Sequence, residues 1–273
     1  MHRGPVNRSI DPILASSKGE PMTDQRYAAN RFLLKDTIRQ QIDFSQTEQS
    51  RGLPPPPLQQ PCPADLPRIA LPDGRQILSR LATMPLGEAI LHRESVRRYA
   101  QAPLSLEELS LLLFATQGVR QVLGPAVALR TVPSAGARHS FETYLTISRV
   151  ESLEPGLYRY LPFDNQLARL RLDPQIHLLA RRAGLNQPCL SAAAVCFFWT
   201  TVAPRMEWRY DLAAHKVIAL DAGHVGQNLY LAAQAIGAGT CAIAAYDQEA
   251  CDQLLGVDGD EEFTVYLASL GKC

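Results

Sequence analysis

The stretch RTVPSAGARHSFETYL, residues 130–145, combines a cation, a hydroxyl group and three small residues just before a strand-like alternation. Ala135, Gly136 and Ala137 leave the backbone almost bare, so a flat or anionic group could come close to the main chain. The alternation that follows predicts a strand over residues 142–150. The stretch therefore predicts a binding loop in front of a strand, and the rest of the chain has to indicate the ligand.

Helices and strands are mixed along the chain without a regular β-α-β repeat. Ser105 and Glu108 form a capping-box pattern that predicts a helix ending at Gly118. Residues 193–202 are almost entirely apolar, which is typical of a strand buried on both faces. Further helices are predicted over residues 31–44, 221–236 and 247–256, and further strands over residues 157–161, 166–172 and 263–270. This mixture predicts an α+β fold.

The N-terminal part of the chain has a different composition. Eight of the twenty prolines lie between Pro54 and Pro72, a density that excludes a helix or a central strand. We expect an extended arm that lies on a surface, and a compact domain that begins near Leu78. The predicted division is an N-terminal segment with the arm over residues 1–77 and a domain over residues 78–273. Residues 1–30 show no usable periodicity, and Met22 is an alternative start.

Composition and charge narrow the class of protein. The 273 residues carry 27 basic and 27 acidic side chains, a balance that does not indicate a nucleic-acid partner. None of the six cysteines forms a C-x-x-C pair, which favours free thiols in a reducing compartment over a zinc site. The longest apolar run, residues 192–199, is too short to span a bilayer. We expect a cytoplasmic protein with no metal site and no membrane or nucleic-acid partner.

A second candidate segment is RESVRRY, residues 93–99. Arg93, Ser95 and Arg97 occupy alternate positions, so in an extended segment their side chains point the same way. Two guanidinium groups and a hydroxyl suit a phosphate or an electron-rich ring edge. A solvated run of charges would have the same pattern.

Two other motifs have structural interpretations. AIGAGTCAIAA, residues 235–245, has the G-x-G-x-x-A spacing of a dinucleotide fingerprint, but it follows a helix and leads into an apolar run. We interpret Gly237 as a helix C-cap. His224 could be a general base, but a histidine on a helix face is more often a structural group, and we favour that interpretation.

These segments together resemble the FMN-dependent nitroreductase superfamily, and within it the SagB- or McbC-type dehydrogenases that oxidise azolines to azoles. RESVRRY resembles the Arg-x-Ser-x-Arg flavin segment of that family, and RTVPSAGARHSFETYL resembles the Arg-Thr-x-Pro-Ser-Ala-Gly loop of that branch. PGLYRYLPFDNQLARL, residues 155–170, resembles its Pro-Gly-Leu-Tyr-x-Tyr hairpin. LDAGHVGQNLYLAAQAIGAGTCAIAAYD, residues 220–247, resembles its Asp-x-Gly-His helix and flavin-facing turn. The resemblance covers residues 30–273.

The resemblance implies a three-layer sandwich, with helices flanking a central, mainly antiparallel sheet, and an intertwined homodimer that shares its FMN sites. The implied transfer is a hydride through flavin N5, with a backbone N–H of Ala244 or Ala245 orienting the ring and Arg93 or Arg97 stabilising the reduced form. The implied FMN contacts are Arg93, Ser95, Arg97, Pro133, Ser134, Ala135, Gly136, Ala137, Ile243, Ala244, Ala245 and Lys272.

The stretch WRYDLAAHKVIALDAGH, residues 208–224, departs from the azoline-oxidising branch. A Lys-Tyr pair of that branch is replaced by Arg209 and Tyr210, and an Arg-x-Tyr-Arg run is replaced by residues 213–216. Arginine keeps its proton, so Arg209 is a poor base. We therefore predict that Tyr210 accepts the proton and that Arg209 stabilises the phenolate. A core tyrosine with a purely structural hydroxyl is the alternative.

The predicted activity is dehydrogenation of an azoline in a peptide or a small heterocycle. An NAD(P)H-dependent nitro- or quinone reductase is the alternative with the same fold. A non-catalytic partner in a peptide-modifying complex is the alternative from another class, and the replaced Lys and Arg-x-Tyr-Arg residues favour it.

Overall fold

The computed structural model describes residues 24–273, so the alternative start at Met22 lies outside the described residues. Nine α-helices and nine strands form within this range. The helices are α1 (Asp24–Leu34), α2 (Gly74–Leu81), α3 (Leu86–His92), α4 (Leu106–Gln117), α5 (Ile176–Ala183), α6 (Pro188–Ala192), α7 (Pro204–Tyr210), α8 (Ala214–Ala235) and α9 (Gln248–Leu255). The strands are β1 (Arg68–Ala70), β2 (Val119–Gly124), β3 (Val127–Arg130), β4 (Phe141–Ile147), β5 (Gly156–Leu161), β6 (Gln166–Leu172), β7 (Val195–Val202), β8 (Ala238–Ile243) and β9 (Glu262–Lys272).

Seven strands form one sheet in the order β1-β6-β5-β4-β7-β9-β8. Every neighbouring pair in it is antiparallel. The strands β2 and β3 form a separate hairpin. The predicted α+β class and antiparallel central sheet are confirmed, while the intertwined homodimer stays a prediction.

The two faces of the sheet are covered by different helices. In β7, Phe197 and Trp199 pack into the core beneath α4 and α8, whereas Cys196 and Phe198 pack into the core beneath α5, α6 and α9. Because successive side chains of a strand point to opposite faces, a central strand between two cores is apolar at nearly every position. This explains the uninterrupted apolar run and gives the predicted three layers.

Local signals fix several helix ends as predicted. Ser105 Oγ accepts a hydrogen bond from Glu108 N (3.1 Å), and the Glu108 carboxylate accepts one from Ser105 N (2.9 Å), which completes the capping box of α4. Asp247 caps α9, which ends at Gly256 with φ 76°. Gly237 has φ 62° between α8 and β8. The glycine-rich segment is therefore a helix end followed by a strand.

Two helices differ from their predicted ranges. The helix α8 begins at Ala214, seven residues before the predicted start, and Asp221 is a buried side chain within it. The predicted helix over residues 31–44 is replaced by α1 and two 3-10 turns, Asp36–Gln41 and Phe44–Gln46.

The proline-rich arm lies against the domain over residues 53–67, without helix or strand. Its carbonyl groups accept hydrogen bonds from four buried guanidinium groups. The pairs are Arg138 with Pro56 O (3.3 Å), Arg205 with Pro57 O (2.6 Å), Arg130 with Leu58 O (3.0 Å), and Arg159 with Gln60 O (3.1 Å) and Pro61 O (2.9 Å). An extended proline-rich segment makes no internal hydrogen bonds, so its carbonyls remain available to partners elsewhere.

The domain boundary predicted near Leu78 falls inside α2. Ile77 of this helix belongs to the same apolar core as Leu109 of α4. A Cβ atom on Gly74, at the start of α2, would lie 2.4 Å from Phe114 Cβ of α4. The structure therefore has no break at residue 78, and the end of the arm leads directly into the core of the domain.

Candidate functional site

Residues 133–139, here called the Gly136 turn, have an unusual backbone. Gly136, Ala137 and His139 have φ values of 58°, 52° and 49°. Outside glycine this region costs on the order of 1 kcal/mol or more for each residue, so surrounding contacts must hold the turn. Within it, Ala137 N donates to Ser134 O (2.9 Å) and His139 N donates to Ser134 Oγ (3.0 Å).

Asp221 of α8 holds the beginning of the turn. Its carboxylate oxygens lie 3.3 and 3.2 Å from the donating Ala135 N–H. Burial raises the pKa of Asp221, while hydrogen bonds from Ser134 and Ala135 and the nearby His224 act in the opposite direction. His224 Nδ1 lies 4.0 Å from Asp221 Oδ1 and its side chain is half exposed. Asp221 is a site residue that the sequence analysis did not select.

The two catalytic candidates lie against the same turn. A Cβ atom on Gly136 would lie 2.7 Å from Tyr210 Oη and 2.9 Å from Arg209 Nε, so only glycine allows this approach. The Arg209 guanidinium carbon lies 5.7 Å from the centre of the Tyr210 ring. Both side chains stand at the end of α7 and are partly exposed. The structure thus brings together Arg209, Tyr210 and the small-residue loop.

The Gly136 turn also borders a group of buried charges. Arg205 Nη2 donates to Glu142 Oε1 at 2.6 Å, and both side chains are almost completely buried. Burial lowers the pKa of Arg138, and that of Arg130, to about 10. Burial and the neighbouring Arg130 lower the pKa of His139 to about 3. The guanidinium groups are therefore charged at neutral pH and His139 is neutral.

The segment with Arg93, Ser95 and Arg97 lies elsewhere, along the edge of β8. Val96 N donates to Thr240 O (3.0 Å). Ser95 Oγ lies 2.8 Å from Tyr230 Oη, and the Arg93 guanidinium carbon lies 5.2 Å from the centre of the Tyr230 ring. We call Arg93, Ser95, Arg97 and Tyr230 the β8-edge cluster.

Tyr230 organises the β8-edge cluster, although the sequence analysis did not select it. Its hydroxyl accepts a hydrogen bond from Ala242 N (2.9 Å), which ties α8 to β8. Arg97 is exposed and donates to Ser95 O (3.4 Å). Neither Arg93 nor Arg97 forms an ion pair with any residue that the structure describes. The cluster therefore carries two uncompensated cations.

The two groups lie on opposite sides of α8. Asp221 and Tyr230 are nine residues apart in the helix, which is about two and a half turns. Their side chains therefore point to opposite sides of α8, about 13 Å apart along its axis. Residues 133–137 contact the side of Asp221, whereas residues 93–97 contact the side of Tyr230. The structure of one chain therefore does not bring all the predicted flavin contacts to one place.

The predicted flavin-facing turn follows β8. Ile243 is buried at the end of this strand, and Ala244 and Ala245 are exposed directly after it. A mainly apolar cavity of about 510 Å³ begins at the next residue, Tyr246. On its other side Gly223 and further small residues of α8 line the cavity. The turn after β8 thus leads to a mainly apolar cavity.

Lys272, a predicted FMN contact, forms polar contacts within the chain. Its Nζ forms an ion pair with the Glu108 carboxylate and donates to Ile236 O at 3.0 Å. The ammonium group of Lys272 thus contacts both the capping box of α4 and the residue that follows α8. The FMN contact of Lys272 stays a prediction, and in this structure the ammonium group is paired within the chain.

Three general features concern residues 24–273 only. No group of three or more His, Cys, Asp or Glu side chains is arranged there to hold a metal ion. The six cysteines form no disulfide. None of the helices in this range is both long and apolar enough to cross a membrane.

Comparison with known proteins identifies the family. Residues 90–272 match the model of the nitroreductase family. A protein of Methanocaldococcus jannaschii that carries the nitroreductase name is 31% identical over 208 residues, which cover 76% of this chain and 98% of the relative. The chain belongs to the nitroreductase family, and that membership makes it an oxidoreductase. Members of this family generally bind flavin.

Solved structures share the fold. A crystal structure from Anabaena variabilis with the nitroreductase name has 25% identity and a TM-score of 0.61, and the match covers 77% of this chain but only 42% of that one. One from Ralstonia eutropha has 24% identity and a TM-score of 0.62 over 81% and 99% of the two chains. A chain of the Escherichia coli microcin synthetase McbBCD complex with truncated pro-MccB17 bound has 18% identity and a TM-score of 0.56 over 68% and 72%.

Proposed function

We propose that the protein is a cytoplasmic, homodimeric FMN-dependent oxidoreductase that dehydrogenates an azoline of a peptide-derived substrate. The observation that carries this proposal is the contact of Arg209 and Tyr210 with the Gly136 turn, in a chain of the nitroreductase family. When bound, FMN supplies a hydride acceptor at N5. The substrate loses a hydride and, from the neighbouring atom, a proton.

The residues present fit an FMN group. Arg93 and Arg97 offer two cations that no described carboxylate pairs with, which suits a phosphate or the electron-rich edge of the ring. The cavity of about 510 Å³ beyond Ala244 and Ala245 is mainly apolar, which suits a flat ring. Lys272 is left out of this set because Glu108 pairs with it.

Tyr210 is the group in this chain that we assign to the proton. Its hydroxyl is close to the Gly136 backbone and lies beside the fixed positive charge of Arg209. We assign the proton to Tyr210 rather than to Arg209 because a guanidinium group keeps its own proton and is a poor base. Asp221 accepts a hydrogen bond from Ala135 N and so holds the turn in place beside the proposed substrate position.

A second copy of the chain would complete the site. The Gly136 turn and the β8-edge cluster face opposite sides of α8, so a shared site would take one from each protomer. Large apolar side chains stand exposed on α3 and α8, as a dimer interface requires. They are Leu86 (65% exposed), Ile90 (54%), Leu91 (81%) and Leu220 (56%).

The alternative within this fold is an NAD(P)H-dependent nitro- or quinone reductase. The nitroreductase name of the relative at 31% identity favours it. The peptide bound in the microcin synthetase complex favours a peptide substrate, although that likeness is one of fold. A non-catalytic partner of a peptide-modifying complex is the third candidate, and a visible spectrum of the purified protein separates it from both flavoproteins.

Binding of FMN is tested at the β8-edge cluster. A charge-assisted hydrogen bond contributes about 1.5–3 kcal/mol, so Arg93→Ala or Arg97→Ala should weaken FMN about tenfold or more in a fluorescence titration. Arg39→Ala, an exposed arginine at the N-terminal segment, is the control and should bind like the wild type. Wild-type affinity in both site variants would refute the assignment.

The role of Tyr210 is tested by anaerobic reduction. Tyr210→Phe removes the proton acceptor, so an azoline substrate should no longer bleach the flavin absorbance, while dithionite still does. The FMN content should be unchanged. Equal rates of substrate-driven bleaching in the two proteins would leave Tyr210 a structural residue. Bleaching by NAD(P)H instead of an azoline would favour the reductase.

A further inference from the structure

The arm contacts the helix that carries the catalytic candidates. Trp208 of α7 directly precedes Arg209 and is buried. Its indole Nε1 donates to Leu53 O in the arm at 3.0 Å, and its carbonyl accepts from Gln49 N at 2.9 Å. The N-terminal segment therefore binds both the side chain and the backbone of the residue next to the Arg209–Tyr210 pair.

The arm also contacts the end of the Gly136 turn. Arg138 is completely buried and follows Ala137, one of the residues with positive φ. It donates to Pro56 O of the arm at 3.3 Å, to Arg205 O of α7 at 2.9 Å, and to Ala126 O. One guanidinium group thus joins the turn, the catalytic helix and the arm.

Trp208 and Arg138 meet each other beneath the arm. The Arg138 guanidinium carbon lies 4.9 Å from the centre of the Trp208 ring, a cation–π contact in a desolvated environment. Two residues before Arg138, Gly136 of the same turn meets Arg209 and Tyr210 of the same helix. The arm therefore contacts the turn and α7 directly beside the candidate site.

We propose that the proline-rich arm positions the site through Trp208 and Arg138, which act as positioning residues for Arg209 and Tyr210. Neither of the two touches the substrate in this proposal. The strained backbone of the turn is stabilised by contacts with other segments in addition to its own hydrogen bonds, and the carbonyls of the arm are acceptors that a proline-rich segment leaves unused. The kinetic part of this inference rests on the proposed function, whereas its structural part does not.

The two tryptophans of the chain allow a matched test. Trp208→Phe keeps a ring under Arg138 but removes the N–H donor to Leu53 O. Trp199→Phe makes the same change in the core of β7, where the indole nitrogen has no hydrogen-bond partner. Both indoles are buried, so the pair separates the loss of the arm contact from the loss of ring volume.

Hydrogen–deuterium exchange measures the structural part without flavin or substrate. In Trp208→Phe the amides of Ala137 and Arg138, and those of residues 206–212, should exchange about tenfold faster, because the contact that holds them opens more often. The amides of β4 and β7 should be unchanged. Trp199→Phe should leave the turn and α7 as they are in the wild type.

Kinetics measure the functional part. In Trp208→Phe the rate of substrate-driven flavin bleaching should fall about fivefold to tenfold, with little change in the substrate concentration for half-maximal rate. Arg138→Lys, which keeps the charge but not the planar stacking, is a second variant and should show the same pattern.

The outcomes are distinct. The positioning role is supported if amide exchange becomes faster only at the turn and α7, and does so in Trp208→Phe and Arg138→Lys but not in Trp199→Phe. Unchanged exchange at the turn, or a rise spread over the whole chain in all variants, overturns it. If no variant or wild-type protein binds FMN, the proposed function fails, and the exchange result alone decides whether the arm holds the site.

Discussion

The Gly136 turn is held in place by contacts within the chain, whereas the β8-edge cluster has few such contacts. The turn is fixed by the carboxylate of Asp221, by Arg138 and by the close approach of Tyr210. In the cluster, Arg93 and Arg97 have no ion-pair partner among the described residues, and Arg97 is exposed. Both regions contain predicted flavin contacts. The turn is held by other parts of the same chain, whereas the two arginines of the cluster have no described ion-pair partner.

This difference separates two kinds of residue. A residue of the turn contributes to the free energy of unfolding, because strain and buried charge must be compensated inside the fold. A residue of the open cluster contributes mainly to what binds there, because its charge remains in water until a ligand arrives. Changes near the turn should therefore affect stability, and changes of Arg93 or Arg97 in the cluster should affect mainly the affinity for flavin.

The largest effect should come from the buried carboxylate behind the turn. Glu142→Gln keeps the shape but removes the negative charge that faces Arg205 at 2.6 Å, in a region that also holds Arg130 and Arg138. Breaking a buried pair by removing one partner costs about 3 kcal/mol or more. Urea denaturation should show this loss in the free energy of unfolding.

An exposed pair provides the control for that change. Glu154 pairs with Arg169 at 3.4 Å and is largely exposed, so Glu154→Gln should cost at most about 1 kcal/mol. If Glu142→Gln lost no more than Glu154→Gln, the charges behind the turn would not stabilise it, and the comparison of the two regions would fail.

Acid should weaken the turn through His139. Its imidazole stays neutral in the fold because burial and Arg130 lower its pKa to about 3, whereas in the unfolded chain it binds a proton near the ordinary value of about 6.5. Between these values the unfolded state binds more protons, so stability falls as the pH falls. From about pH 6.5 to about pH 4.5 this loss amounts to about 2 kcal/mol.

Replacing the imidazole tests that acid dependence. Asparagine tolerates a positive φ, so His139→Asn should fold and should lose about 2 kcal/mol less than the wild type over the same pH interval. His92→Asn changes an exposed histidine at the end of α3 and serves as the control. Parallel pH profiles for the wild type and His139→Asn would show that His139 is not the acid-sensitive group.

The sequence predicted the parts of the fold that depend on neighbouring residues. The capping box of Ser105 and Glu108 and the doubly buried strand β7 follow from local patterns, and they are confirmed. The small-residue loop before β4 was also selected, because its composition is unusual. Asp221 was missed because its partner, Ala135, is 86 residues away.

The four arginines beneath the arm also make contacts that are too distant in the sequence to be predicted from local patterns. In the sequence Arg130 looks like the cation of a binding loop and the other three look like ordinary charged residues. Nothing nearby shows that the four are buried. Their acceptors are carbonyls of the arm, 72 residues away for Arg130 and 148 for Arg205. Every residue has a backbone carbonyl, so the residue type of the acceptor does not indicate such a hydrogen bond. No sequence pattern could therefore have predicted these pairs.

The smallest expected change in the free energy of unfolding comes from two glycines in different surroundings. Gly136 lies in the turn and Gly223 lies on α8. Gly136→Ala places a Cβ atom 2.7 Å from Tyr210 Oη at φ 58°, which should cost about 1 kcal/mol and displace the tyrosine. Gly223→Ala, on the exposed face of α8, meets no atom within 4 Å and should gain about 0.5–1 kcal/mol as a better helix former. Urea denaturation of both variants should therefore give changes of opposite sign. A similar change in both would contradict the distinction between a closed turn and an open face, whereas a loss at Gly223 alone would show that a partner chain or a ligand covers that glycine.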